Sequence, residues 1–185
     1  MIHFWLEAVA DRLRSVLTST SIDDPTHNIL VMPDGKPAAT GGTIFIAVHP
    51  GGSFNPLVDT YGDTMAESYE VLCTISQRTR NVPEDRIGKS LYIEQTKSLS
   101  RIALNVRNAV SNVRSLKTDV EAAITSESIS GGVVELLRWS RSSQPVPRDK
   151  SWFMSVDPYD MDMQPAGYSM EMAFVGGQIV TGTGC

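Results

Sequence analysis

Asp157, Asp160 and Asp162 are the residues of this chain whose type and spacing best suit a cation. Hard divalent ions such as Ca²⁺ take several oxygens close together, and a loop rich in carboxylates supplies them. The glycine and closing glutamate of an EF-hand loop are missing, so a solvated loop or a contact with another subunit is the commoner use of such a stretch. The three histidines, His3, His27 and His49, are scattered without zinc-binding spacing. His49, just before Pro50 and Gly51, is the one placed like a catalytic residue, although a structural or surface role is the ordinary expectation there. The chain has neither a Gly-x-Ser-x-Gly elbow nor a phosphate-binding Gly-x-x-x-x-Gly-Lys-Ser loop. The glycine pairs at 41–42, 51–52, 131–132 and 176–177 read as turn glycines at strand ends. No catalytic residue and no cofactor are assigned.

Basic residues fall in two groups. Arg78, Arg80, Arg86, Lys89, Lys97, Arg101 and Arg107 form one, and Arg138, Arg141, Arg148 and Lys150 the other. Either they make an ordinary solvated face, or they meet something acidic: DNA passing nearby, or the 157–162 stretch of a second copy. Two patches of opposite sign on one chain are what a head-to-tail ring interface uses.

The elements that must carry these residues are legible as patterns. Tyr69, Val71, Cys73 and Ile75 alternate with Glu70, Thr74 and Ser76, the period of a half-buried strand. Leu99, Ile102, Ala103, Val106, Val110 and Val113 recur at three and four, the stripe of a helix. Residues 81–96 between them read as a linker. Residues 2–19 form a second amphipathic helix with Ile2, Trp5, Leu6, Val9, Leu13, Val16 and Leu17 on one stripe. Short strands are expected at 29–32 and 43–49, the latter apolar on both faces. A loop covers 53–64, and the helical part resumes after a break near 114–118. Residues 126–132 read as a breaker, 133–139 as a strand, 142–150 as a loop and 152–156 as a further short strand. Residues 168–174 alternate cleanly, and Gly176-Gly177 suits a hairpin turn into 178–181. The sum is a single α+β domain over 1–185. It is a mostly antiparallel sheet packed on one face by an N-terminal helix and a long central helix, with a helical extension at about 114–130 and a long loop at about 142–165.

Composition bounds the function. The chain has 185 residues, 41% hydrophobic and 20% charged, with a net charge of −5. A free duplex-binding domain is usually basic, so tight sequence-independent DNA binding is disfavoured, whereas a protein that only lines a DNA path is compatible. No stretch approaches the roughly 20 apolar residues of a membrane helix. Glu7, Asp11, Arg12 and Arg14 interrupt any signal-peptide core, and the cytosol, or a particle assembled there, is the expected compartment. Cys73 and Cys185 form no disulfide framework of the secreted kind.

The order of elements is also familiar. A helix with Ala8-Val9-Ala10-Asp11-Arg12-Leu13-Arg14 precedes Met32-Pro33-Asp34-Gly35-Lys36-Pro37 and the strand Gly42-Thr43-Ile44-Phe45-Ile46-Ala47-Val48. The strand from Tyr69 to Thr79 feeds Pro83-Glu84-Asp85-Arg86 and the helix from Leu99, and strands ending in Tyr168-Ser169-Met170-Glu171-Met172-Ala173-Phe174 close the chain. This resembles the tail-terminator and tail-completion proteins of long-tailed bacteriophages, and the neck proteins like them. The resemblance implies a structural virion protein without enzymatic activity. Its subunits form a ring, typically a hexamer, that caps the tail tube and joins it to the head–tail connector, adaptor or stopper protein. DNA passes through the lumen without sequence specificity, no membrane is involved, and assembly takes place in the host cytoplasm. The extension at 114–130 and the loop at 142–165 depart from the shorter members of that family.

For such a ring, Phe54, Leu57 and Tyr61 on one loop and Trp152, Phe153 and Met161 on the other are the expected interface side chains. The alternative is a small cation-binding or ligand-binding α+β domain using Asp157, Asp160 and Asp162.

Overall fold

In the first helix, α1 (Ile2–Leu17), Trp5, Leu6, Val9, Leu13 and Leu17 of the expected stripe are buried, Ile2 and Val16 partly so, and Phe4 and Ala10 join them. The computed structural model describes residues 2–17, 29–36, 44–51, 55–58, 64–78, 89–127, 129–153 and 167–181. Among them, α1 is followed by strands β1 (Ile29–Val31), β2 (Ile44–Pro50), β3 (Asn55–Val58) and β4 (Thr64–Arg78). Helices α2 (Lys89–Val110) and α3 (Arg114–Ser126) come next. The chain ends in β5 (Ser130–Ser142), β6 (Val146–Arg148), a 3₁₀ turn (Lys150–Phe153) and β7 (Gly167–Thr181). No described helix is long and apolar enough to cross a membrane.

The strands form one seven-stranded sheet in the order β1-β2-β4-β7-β5, with β3 flanking β4 and β6 flanking β7. Among the described residues only β1 and β2 run parallel; every other pair is antiparallel. The α+β class and the largely antiparallel sheet are therefore as expected. The two 15-residue strands β4 and β7 pair along their whole length and form its spine.

One face of that spine carries the core. Tyr69, Val71, Cys73 and Ile75 of β4, with Ile46 and Val48 of β2 and Met172 and Phe174 of β7, pack against α1, α2 and α3. Trp5 lies on Tyr69, ring centroids 4.9 Å apart, and its indole N–H donates to Gln178 Oε1 at 3.1 Å. Large apolar side chains left from water on this scale supply most of the folding drive. Cys73 is a free thiol within it, its pKa pushed up to about 12 by burial, which leaves it a small inert hydrophobe.

Several boundaries differ from the pattern reading. Helix α2 begins at Lys89, so 89–96 is helical and not linker. Tyr92 and Ile93 are exposed there, and a turn that buries no stripe gives no periodicity to read. The helical break falls at 111–113, ahead of the expected 114–118. Asn112 takes the left-handed conformation (φ 59°), which asparagine tolerates better than most residues. Residues 55–58, read as loop, form β3, and its Pro56 sits on an outer strand, where proline is tolerated. Strand β5 starts at Ser130, inside the expected breaker. Pro147 likewise lies within β6 on an outer strand, in the expected loop. Residues 150–153 form a 3₁₀ turn where a strand was expected from 152. Gly176-Gly177 makes no turn at all: β7 runs straight through, opposite Tyr69 and Ser68. A Cβ at Gly176 would lie 2.8 Å from Tyr69 Oη, so this glycine makes room for the phenol.

Candidate functional site

The other face of the spine is built from the intervening residues, and it is polar. In register across β2, β4 and β7 lie three rows: Phe45–Ser76–Ser169, Ala47–Thr74–Glu171 and His49–Leu72–Ala173. Thr74, Ser76 and Ser169 alternate with the core residues as a half-exposed strand requires, yet they are buried, as is His49. A second layer covers them. It consists of the turn at 33–36 and the 3₁₀ turn, which follows the sheet's own edge strand β6.

Each buried polar group has a partner in that layer or beside it. His49 Nε2 lies 2.9 Å from Thr74 Oγ1. The ring packs against Gly35, which has φ +70° and where a Cβ would come within 2.5 Å of Nε2. Burial lowers the His49 pKa, partly offset by Glu171, the Pro50 backbone and Asp34, so the imidazole is neutral at pH 7. Ser76 Oγ accepts the Trp152 indole N–H at 3.1 Å, and Ser169 Oγ accepts Arg148 Nε at 2.7 Å. The Arg148 guanidinium stacks on the Trp152 ring at 3.8 Å. Arg78 lies between the Phe45 and Phe153 rings and donates to the Phe153 carbonyl at 2.6 Å. Asp149 Oδ1 accepts from Ser151 Oγ at 2.6 Å and from the Trp152 backbone N–H at 3.2 Å. The serine hydroxyl above all holds the Asp149 carboxyl below its usual range. A cavity of about 260 Å³ opens beside this cluster, lined by Lys36, Pro147, Arg148, Asp149, Ser151 and Trp152.

Farther along the same face, Arg141 reaches Glu70 at 3.1 Å and Glu171 at 4.0 Å. Arg138 pairs with Glu135 at 3.8 Å, and Arg107 stacks over Trp139 at 4.3 Å. The later basic group therefore does not act together: Arg138 and Arg141 sit in surface ion pairs, and Arg148 in the stack. Lys97, Arg101 and Arg107 are exposed on α2.

The sequence-level candidates fare unequally. Asp157, Asp160, Asp162, Met161, Phe54 and Tyr61, with His27, Arg80 and Arg86, lie outside the described residues. Leu57 is in β3, opposite Ala66. Phe153 is 1% exposed; it is a core side chain of the second layer and not a free interface arm. Trp152 is half-buried and spends its indole N–H within the chain. No group of three or more His, Cys, Asp or Glu that could hold a metal ion occurs among the described residues. The pairing of Ser76 with Ser169, and of Arg148 with Trp152, escaped the sequence reading. Serines at inward-facing strand positions were its only trace.

A second surface stands out at the sheet's flank. The outer edge of β5 is closed by the helices: Glu121 Oε1 accepts from Val133 N at 3.1 Å, Asn112 N donates to Leu137 O at 2.7 Å, and Ser111 Oγ accepts from Trp139 N at 3.1 Å. Three register shifts bend the same strand. Capping and bulging an edge in this way prevents another strand from adding to it. Yet Leu104 of α2 (54% exposed), Val134 of β5 (58%), Ile93 and Trp139 leave apolar surface in water.

No protein-family model matches the chain, and comparison with curated proteins finds no similar sequence.

Proposed function

We propose that this chain is a structural subunit of a tailed bacteriophage neck, of the tail-terminator class. It assembles as a ring, typically a hexamer, that caps the tail tube, meets the head–tail connector and lets DNA pass. The observation that carries the reading is the flank formed by α2 and β5. Its strand edge is closed to strand addition, while Ile93, Leu104, Val134 and Trp139 remain exposed. Side-chain packing of a fixed patch against a different patch of the next copy gives a ring when the rotation between copies closes, whereas open edges give unlimited strand addition. The order of elements, which resembles that family, supports the same reading.

Light scattering across a concentration series tests it. A ring of about six copies, or a monomer that becomes one when tail tubes are added, is the expected result. Leu104→Asp, at a position that buries little, should keep the circular dichroism spectrum and abolish assembly. A wild-type chain that stays monomeric with and without tubes would remove the reading. Normal rings from Leu104→Asp would remove this flank as the contact.

A further inference from the structure

We propose that the cavity beside Arg148 and Trp152 is a binding site for a carboxylate, independent of any ring assembly. Two buried hydroxyls hold the site's side chains in place. Ser76 and Ser169 are register partners on β4 and β7, 1% and 2% exposed. One anchors the Trp152 indole and the other the Arg148 Nε. With the guanidinium carbon over the indole ring, 3.8 Å from its centroid, Arg148 is held at its Nε and against the ring. A guanidinium fixed in this way has little rotational freedom left to lose when it binds.

What remains of it is the end-on fork. Among the described residues, neither terminal nitrogen of Arg148 has a hydrogen-bond partner. The pair of nitrogens is planar and matches the two oxygens of a carboxylate. Lys36, its ammonium 4.0 Å from Asp34 and its side chain about half exposed, brings a second positive charge to the lining. Asp149 brings one negative charge, already bonded to Ser151 and the Trp152 backbone. The charged lining residues sum to +1, reduced further by Asp34 beside Lys36, which favours a monoanion over the dianionic form of phosphate. The volume, about 260 Å³, is that of a small acid or of the acidic end of a longer chain.

The indole N–H signals of the ¹⁵N-labelled full chain give the readout. Trp5 is buried against Gln178 and Trp139 lies on the β5 flank, so only Trp152 borders the cavity. Titration with acetate and with N-acetylglycine at constant ionic strength should shift the Trp152 indole and the Arg148 Nε–H saturably. Inorganic phosphate should bind more weakly. Arg148→Lys keeps the charge but loses the fork and the stack, and should weaken binding by about tenfold or more. Lys36→Gln, at an exposed position that leaves the fold intact, should weaken it by a few-fold and keeps the test decisive if Arg148→Lys misfolds. Absence of a saturable shift with either carboxylate would overturn the proposal, as would phosphate binding at least as tightly, or affinity unchanged in Lys36→Gln.

Discussion

The two faces of the β4–β7 spine use the same strands and opposite physics. On the helix side, Tyr69, Val71, Cys73, Ile75 and Phe174 meet three helices in a largely apolar contact that includes the Trp5–Gln178 bond. On the other side, His49, Thr74, Ser76 and Ser169 are just as buried but rest on individual hydrogen bonds: His49 and Thr74 to each other across β2 and β4, Ser169 to Arg148 of the edge strand β6, and Ser76 to Trp152 of the 3₁₀ turn. The first kind of burial is non-directional and adapts to swaps that conserve volume. The second is directional, and one lost partner leaves a buried polar group unsatisfied. The helix side therefore carries the stability, and the polar side holds particular side chains in particular places.

The largest effect should come from the helix side. Phe174→Ala removes a fully buried ring and should cost about 3–5 kcal/mol, read from urea unfolding; a loss under about 1 kcal/mol would mean that the helices are not seated on β7. On the polar side, Gly35→Ala places a Cβ against the His49 ring at a positive φ and should cost roughly 1–3 kcal/mol. An unchanged midpoint would show that the 33–36 turn does not clamp that histidine.

A smaller, pH-dependent effect belongs to His49. Its folded pKa lies below 6.5 because burial penalises the charged ring, against the opposing pull of Glu171 and Asp34. Between 6.5 and that lower value the unfolded chain binds the extra proton. The stability is thus complete above pH 6.5 and declines as the pH falls through that window. Melting temperatures from pH 7.5 to 5 should show the decline, and His49→Gln should flatten it; equal slopes in the two proteins would assign the decline to other groups. Least of all, Arg141→Ala should change stability by under about 1 kcal/mol, because the guanidinium is half exposed and its pairs are screened. A larger loss in a thermal melt would make the Arg141–Glu70–Glu171 group part of the fold's support.

How far the chain could be read follows from the same contrast. The stripes of α1 and of α2 from Leu99 onward, and the alternation of β4 and β7, were legible because each element buries one apolar face. The first turns of α2 were not, since Tyr92 and Ile93 are exposed and leave no period. Gly176-Gly177 misled for a related reason: a glycine pair after an alternating run has the composition of a turn, and only Tyr69 on the neighbouring strand shows why it lies mid-strand. Phe153 looked like an exposed arm because its covering partners, Phe45 and Arg78, lie far away in sequence. The candidate site was hardly legible at all, being assembled from strand serines and from a tryptophan and an arginine in a turn.

By itself the sequence determined the class of the fold, the apolar face of each main element and the neutral, buried character of Cys73, all of which follow from periodicity within a few residues. Tertiary structure alone decided which strands neighbour one another, that polar residues of the second face are buried, that the β5 edge is closed, and that Arg148 is held over Trp152. The reason is distance along the chain. Register pairs Ser76 with Ser169 and a hydrogen bond joins Trp152 to Ser76, and contacts between residues so far apart leave no local pattern for either partner to display.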